Sequence, residues 1–273
     1  MSVGFFIFTR MIQSTNLPIG IFDSGVGGTS IWKEIVTLLP SESTIYLSDS
    51  ANAPYGNKTK DKIIELSIKN TEILLEHNAK LIIVACNTAT TNAIKVLREK
   101  YNVPFIGIEP AIKPAALKTT TKVIGILATK GTLNSKLFEN TSSTIDQKII
   151  RKEVTGTGLV ELIENGKINS PEMTKLLRSY LIPLLNENVD CLVLGCTHYP
   201  YLIPQIRNIV GHKIQIIDSG EAVARQTKAV LDKHQLLNLS KTNVKYQFFI
   251  NKNKNVLKQL VSGKGITIHQ KVF

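Results

Sequence analysis

Several short runs of this chain are apolar almost without interruption: PIGIF (18–22), TIYLSD (44–49), LIIVA (81–85), PFIGI (104–108), VIGILA (123–128), CLVLG (191–195) and IQIID (214–218). A strand with one wet face alternates apolar and polar residues, whereas a run apolar at nearly every position has to be covered on both faces. Between several of these runs lie helical patterns. TSIWKEIVTLL (29–39) repeats apolar residues at i and i+4, and KDKIIELSIKNTEILLEH (60–77) carries a wide apolar stripe. Such strands alternating with such helices predict an α/β fold in which mostly parallel sheet is flanked by helices.

An internal echo refines this. IGIFDSGVGGTSIWKEI opens the first half and IGILATKGTLNSKLFEN opens the second, and each is followed by a strand running into a cysteine, Cys86 or Cys196. The echo predicts two related α/β units. Ligands of open α/β sheets bind beyond the carboxyl ends of the strands, so two units facing each other would set both thiols beside one cleft. The expected organisation is an N-terminal extension (1–16), a first α/β domain (17–111 and 225–273) and a second (112–224).

Both cysteines lie where a buried strand meets polar residues. Cys86 is followed by NTATTNAIKVLREKY and Cys196 by THYPYLIPQIRNIV, each read as a helix. A thiol at a helix N-terminus feels the positive end of the helix dipole and ionises more readily, and His198 stands two residues past Cys196. One such cysteine would as readily be core, because free cysteine is among the most buried residue types. Two at matched positions point to chemistry, while Cys191, inside its apolar run, reads as core. A metal site is set aside, since C-x4-C-x-H across a strand end fits no usual zinc spacing. A Cys86–Cys196 disulfide remains open as a redox switch.

The loop DSGVGGTS (23–30) sits where a phosphate loop would, yet it lacks both the G-x-G-x-x-G spacing and a Walker lysine. Its backbone N–H groups are expected to hold a short anionic group. Asp23 either caps the following helix or accepts a substrate ammonium. In SDSANAPYGNKT (48–59), Tyr55-Gly56 either exposes a phenol at the same edge or forms a surface turn. Glu161 and Glu164, in LVELIENGKI, read by themselves as solvated charges.

Bulk properties exclude other classes. Three cysteines in 273 residues make no disulfide framework, and reduced thiols in a cytoplasmic setting are expected. The burst from Val3 to Phe8 lacks the features of a signal peptide, and no run reaches the ~18 apolar residues of a membrane span. The net charge of +12 gathers after Asp232, beyond which the chain holds lysines and no acid. Without an aromatic and arginine stripe it reads as a solvated face, and nucleic acid is not the expected partner.

The blocks IFDSGVGGTS, SDSANAPYG, VACNTAT, GIEPAIKPA, LGCTHYP and IDSGEAVA, in this order, resemble the glutamate racemases of the aspartate/glutamate racemase superfamily. The resemblance runs from about Pro18 to the C-terminus. It implies two pseudosymmetric α/β domains with the site between them, often in a homodimer. It also implies cofactor-independent, metal-free interconversion of L- and D-glutamate for bacterial peptidoglycan. It makes Cys86 and Cys196 the two acid/base thiols and Asp23, Ser24, Tyr55, Gly56, Asn87, Thr88, Thr197 and His198 the substrate-binding residues. Asp23 and His198 would assist the cysteines, with Glu164 near His198. One departure is visible: related sequences often carry Cys-Pro where this chain has TGTG (155–158). An aspartate or hydantoin racemase of the same superfamily is the alternative. Inverting a stereocentre by proton exchange needs a base on one face and an acid on the other, and a thiol's ordinary pKa of ~8.5 suits both.

Overall fold

The computed structural model describes residues 15–240 and 243–273. Most of the expected N-terminal extension, including its apolar burst, lies outside the described residues. The first half of the chain gives β1 (Ile19–Asp23), α1 (Thr29–Leu38), β2 (Thr44–Ser48), α2 (Lys60–Glu76), β3 (Leu81–Val84), α3 (Asn87–Lys100) and β4 (Phe105–Gly107). The second gives α4 (Ile112–Lys118), β5 (Val123–Ala128), α5 (Lys130–Leu133), α6 (Lys136–Ser143), β6 (Ile150–Thr155), α7 (Leu159–Glu164), α8 (Pro171–Leu185), β7 (Cys191–Gly195), α9 (Ile203–Val210) and β8 (Gln215–Ile217). The chain then runs through α10 (Gly220–Lys233), β9 (Tyr246–Ile250), α11 (Asn255–Leu260) and β10 (Ile266–Gln270).

Two parallel sheets result, ordered β10-β9-β2-β1-β3-β4 and β6-β5-β7-β8. The order β2-β1-β3-β4 in one matches β6-β5-β7-β8 in the other, so the sequence echo is a structural repeat. β1 and β5 are its equivalent central strands, and β3 and β7 lead to the two cysteines. The first sheet alone is extended, by β9 and β10.

Two-sided burial explains the apolar runs. Ile19, Ile21, Leu81 and Ile83 face Trp32 and Ile35 of α1, while Phe22, Ile82 and Val84 face Ile63, Leu66 and Leu74 of α2. Each such side chain contributes about 1.5–3 kcal/mol by leaving water, so an interior strand is stabilised on both faces. Capping fixes where helices begin: the Thr59 hydroxyl accepts from Lys62 N–H ahead of α2, and Ser170 accepts from Met173 N–H ahead of α8, with Pro171 in its first turn.

Three strands depart from the sequence reading: β6, β9 and β10 were not among the runs expected as strands. They lie at or near sheet edges, where burial is incomplete, and they give no continuous apolar run. β9 is seated by Trp32, whose ring meets Tyr246 and Phe248 edge-on at 5.5 and 4.9 Å and whose indole N–H donates to Thr44 Oγ1 at 2.9 Å.

Candidate active site

Cys86 is the N-cap residue of α3, and its sulfur accepts from Ala89 N–H at 3.3 Å. The thiol lies 3.5 Å from Ser24 Oγ and is 4% exposed. The helix N-terminus does not dominate at this sulfur, against the expectation of easy ionisation. Burial, and then the negative charge of Asp23, push this thiol well above its ordinary range, outweighing the helix N-terminus. These surroundings favour the protonated form of Cys86.

Cys196 follows β7, but α9 does not begin behind it. A 3-10 turn (Tyr199–Leu202) intervenes, carrying Pro200, and Pro204 stands in the first turn of α9. The expected helix N-terminus at this sulfur is therefore replaced by a side-chain arrangement. Cys196 Sγ lies 3.8 Å from His198 Nδ1, and His198 Nε2 lies 2.6 Å from Glu164 Oε1. Burial opposes a charge on His198. Hydrogen bonds to Cys196 and Glu164, and the negative charge of both, outweigh it and raise the imidazole well above its ordinary value. Burial likewise disfavours the Glu164 carboxylate, but hydrogen bonds from His198, Ser50 and Val26 N–H, with the His198 charge, hold it below its usual range. Glu164 is thus a buried ion-pair partner and not the solvated charge that its helix suggested; Glu161, on the same helix, is half-buried. The TGTG departure does not displace it: Gly158 caps α7 with φ +84°.

The glycine loop corrects a second expectation. Its N–H groups bind the chain's own carboxylates: Gly25 and Gly28 donate to Asp23 Oδ2 at 3.3 and 2.8 Å, and Val26 donates to Glu164 Oε1 at 2.6 Å. A Cβ on Gly25 would stand 1.9 Å from Glu164 Oε1, and one on Gly27 2.2 Å from His198 Nδ1. The glycines are there so that the second unit's ion pair can pack against the loop.

Asp23 joins the two sides. Its Oδ1 lies 3.5 Å from the Ser24 hydroxyl, which neighbours Cys86, and 3.4 Å from the Thr197 hydroxyl beside Cys196. Burial raises Asp23 to about 6, against the pull of the His198 charge and of Gly28 N–H. Every one of these groups is buried.

Asn87 is 3% exposed, and neither its amide nitrogen nor its oxygen has a partner. A buried amide left unpaired costs about 1–3 kcal/mol, and both of its polar atoms are available to a polar ligand. Thr88 Oγ1 lies 2.8 Å from Thr129 Oγ1 and 3.3 Å from Thr132 Oγ1, joining α3 to the start of α5, and Gly56 packs against Thr129. Tyr55 is not exposed as expected. Its phenol is buried, donating to Asp49 and accepting from Asn70, because its turn folds the ring under the loop. The sequence reading missed Ser50, Thr129 and Thr132, since small hydroxyls in turns carry no periodic signal. The three cysteines are free thiols, and Cys191 is buried among Ile124, Ile126 and Val193. Among the described residues no cluster of His, Cys, Asp and Glu is placed to hold a metal ion, and no helix is long and apolar enough to cross a membrane.

Fold and site together define a class: a repeated α/β protein with one buried cysteine beyond the equivalent strand of each unit. The chain belongs to the Asp/Glu/hydantoin racemase family, which it matches over residues 19–227. It is 45% identical over 229 residues to the glutamate racemase of Ectopseudomonas mendocina, covering 83% of this chain and 86% of the relative. Among solved structures it is similar to glutamate racemase isoform RacE1 of Bacillus anthracis, with TM-score 0.83 and 30% identity over 93% of this chain and 97% of that one. It is also similar to Escherichia coli glutamate racemase in complex with L-glutamate and the activator UDP-MurNAc-Ala, with TM-score 0.82 and 30% identity over 93% and 98%.

Proposed function

We propose that this chain is a glutamate racemase that interconverts L- and D-glutamate by two-base proton transfer without a cofactor, with Cys86 and Cys196 as the bases. The observation that carries the reading is the pair of buried thiols on equivalent arms of a repeat, linked through Ser24, Asp23 and Thr197. In the resting enzyme Cys86 holds its proton, and the base is the Cys196 arm, kept in place by the His198–Glu164 ion pair. For one enantiomer, the Cys196 sulfur removes the α-proton, the carbon flattens, and the Cys86 thiol delivers its proton to the opposite face. The reverse direction exchanges the roles. Ser24, the Gly56 backbone, the Asn87 amide and the Thr88 and Thr197 hydroxyls orient the substrate, and Asp23 faces its ammonium. The charge developing on the flattened carbon is stabilised by groups already oriented in a closed, dry site. The Tyr55 phenol serves indirectly, by holding its turn.

The same reading assigns the domains as 17–111 with 225–273 and 112–224, and the enzyme as a cytoplasmic homodimer supplying D-glutamate for peptidoglycan. The test is circular dichroism of purified protein with L- or D-glutamate and no added cofactor. In deuterium oxide, product from either enantiomer should gain α-deuterium from the first turnovers. Faster racemisation of aspartate than of glutamate, or unlabelled early product, overturns the proposal.

A further inference from the structure

We infer that Ser50 is a positioning residue that couples closure of the two units to the charge state of His198; this rests on the racemase reading above. Glu164, His198 and Cys196 all belong to the second unit. Two of the donors that orient the Glu164 carboxylate do not. Val26 N–H donates to Oε1 at 2.6 Å and the Ser50 hydroxyl donates to Oε2 at 2.7 Å, both from the first unit. Ser50 is 2% exposed, and its position is fixed by the end of β2. Its oxygen lies 3.0 Å from Ser48 Oγ, and the preceding Asp49 N–H donates to Asp23 O at 3.0 Å. Separation of the units therefore removes both donors together. Closure restores them, holds the carboxylate charged, and through it keeps His198 charged beside Cys196.

The magnitude follows from what lies behind the carboxylate. A cavity of about 430 Å³ is lined there by Val26, Ser50, Glu164, Lys252, Asn255 and Gln259. Water from it can occupy the space of a deleted hydroxyl, so the loss is partial; a hydrogen bond to a charged group is worth enough for a roughly tenfold effect. The charged or titratable groups around Glu164 are His198 and, beyond it, Cys196 from the turn after β7, Asp23 at the end of β1, Tyr46 on β2 and Lys252 after β9.

The experiment compares wild type, Ser50→Ala and Ser50→Thr in both reaction directions across pH, and follows the His198 imidazole by NMR, assigned with His198→Asn. Ser50→Ala should lower kcat roughly tenfold with KM changed less than about twofold. Its acid limb should move to higher pH, because Glu164 has lost a donor to its charged form, and His198 should titrate at lower pH. Ser50→Thr, which keeps the hydroxyl, should recover most of the loss. An unchanged kcat and pH profile overturns the inference, as does a loss equal at every pH that tracks a fall in Tm. If wild type does not racemise glutamate, the proposed function falls by itself. The NMR arm still decides: identical His198 titration in wild type and Ser50→Ala overturns the coupling.

Discussion

The two cysteines occupy equivalent places in a repeat, yet their surroundings have almost nothing in common. Cys86 caps a full α-helix and meets the Ala89 N–H and the Ser24 hydroxyl, with the Asp23 carboxylate nearby. Cys196 precedes a 3-10 turn and meets an imidazole held by a buried glutamate. The lesson is that a repeat conserves backbone placement while burial and neighbouring charge set the proton affinity of each thiol. The two-base proposal uses that inequality, because burial and Asp23 favour the protonated form of Cys86 while a histidine stands beside Cys196.

Removing either sulfur should break the comparison most completely. Cys86→Ser and Cys196→Ser should each lower racemisation at least ~1000-fold in both directions by circular dichroism; one single variant keeping near-normal turnover rules out two bases. Gly27→Ala should come next, because its Cβ would collide with His198 Nδ1 while leaving the Cys86 contacts intact. A kcat loss of about 100-fold is expected, with urea unfolding showing at most about 1–3 kcal/mol of overpacking cost.

Glu164→Gln keeps the shape of the Cys196 arm and removes its charge. His198 should then lose its proton at lower pH than in wild type, so activity should fall off earlier as pH rises, read from kcat profiles. Linkage fixes the sign for stability. The raised His198 contributes stability that is full below its unfolded value of about 6.5 and lost as pH rises through the folded value. The depressed Glu164 contributes stability present above its unfolded value of about 4.3 and lost as pH falls through the folded one. The stability gap between wild type and variant should be widest between about 4.3 and 6.5.

Asp23→Asn sharpens the Cys86 side. Asp23 is raised to about 6 from 3.8 by burial, so its contribution is full below 3.8 and lost as pH rises through about 6. The variant should be as stable as wild type at pH ~4 and up to about 3 kcal/mol more stable at pH ~7 by urea unfolding, with lower activity. An equal difference at both pH values would sink this account. The smallest effect belongs to Thr129→Val, which removes one hydroxyl bridging α3 and α5; KM should rise less than about threefold with kcat little changed.

Much of the architecture was legible from the residues. Continuous apolar runs located the interior strands, and the echo of IGIFDSG in IGILATK foretold the matched strand order of the two sheets. The edge strands were not legible, because half-wet strands such as β6 lack a continuous run. At the site, the position of each cysteine was legible from the end of its apolar strand. The partners were not. From its helix alone Glu164 looked like a solvated charge, and it was the family resemblance that set it near His198, where the structure has it; the glycine loop looked like an anion site for a ligand until the fold brought that glutamate onto it.

The sequence by itself determined the two units, their shared plan, and a thiol at the same strand end of each. These are local matters of periodicity and strand termination, and a chain carries them in its order of residues. Only the tertiary structure decided what surrounds each sulfur and so how unlike the two thiols are. That depends on water being excluded and on carboxylates and an imidazole from distant segments meeting at short range, where charges interact strongly because little solvent screens them.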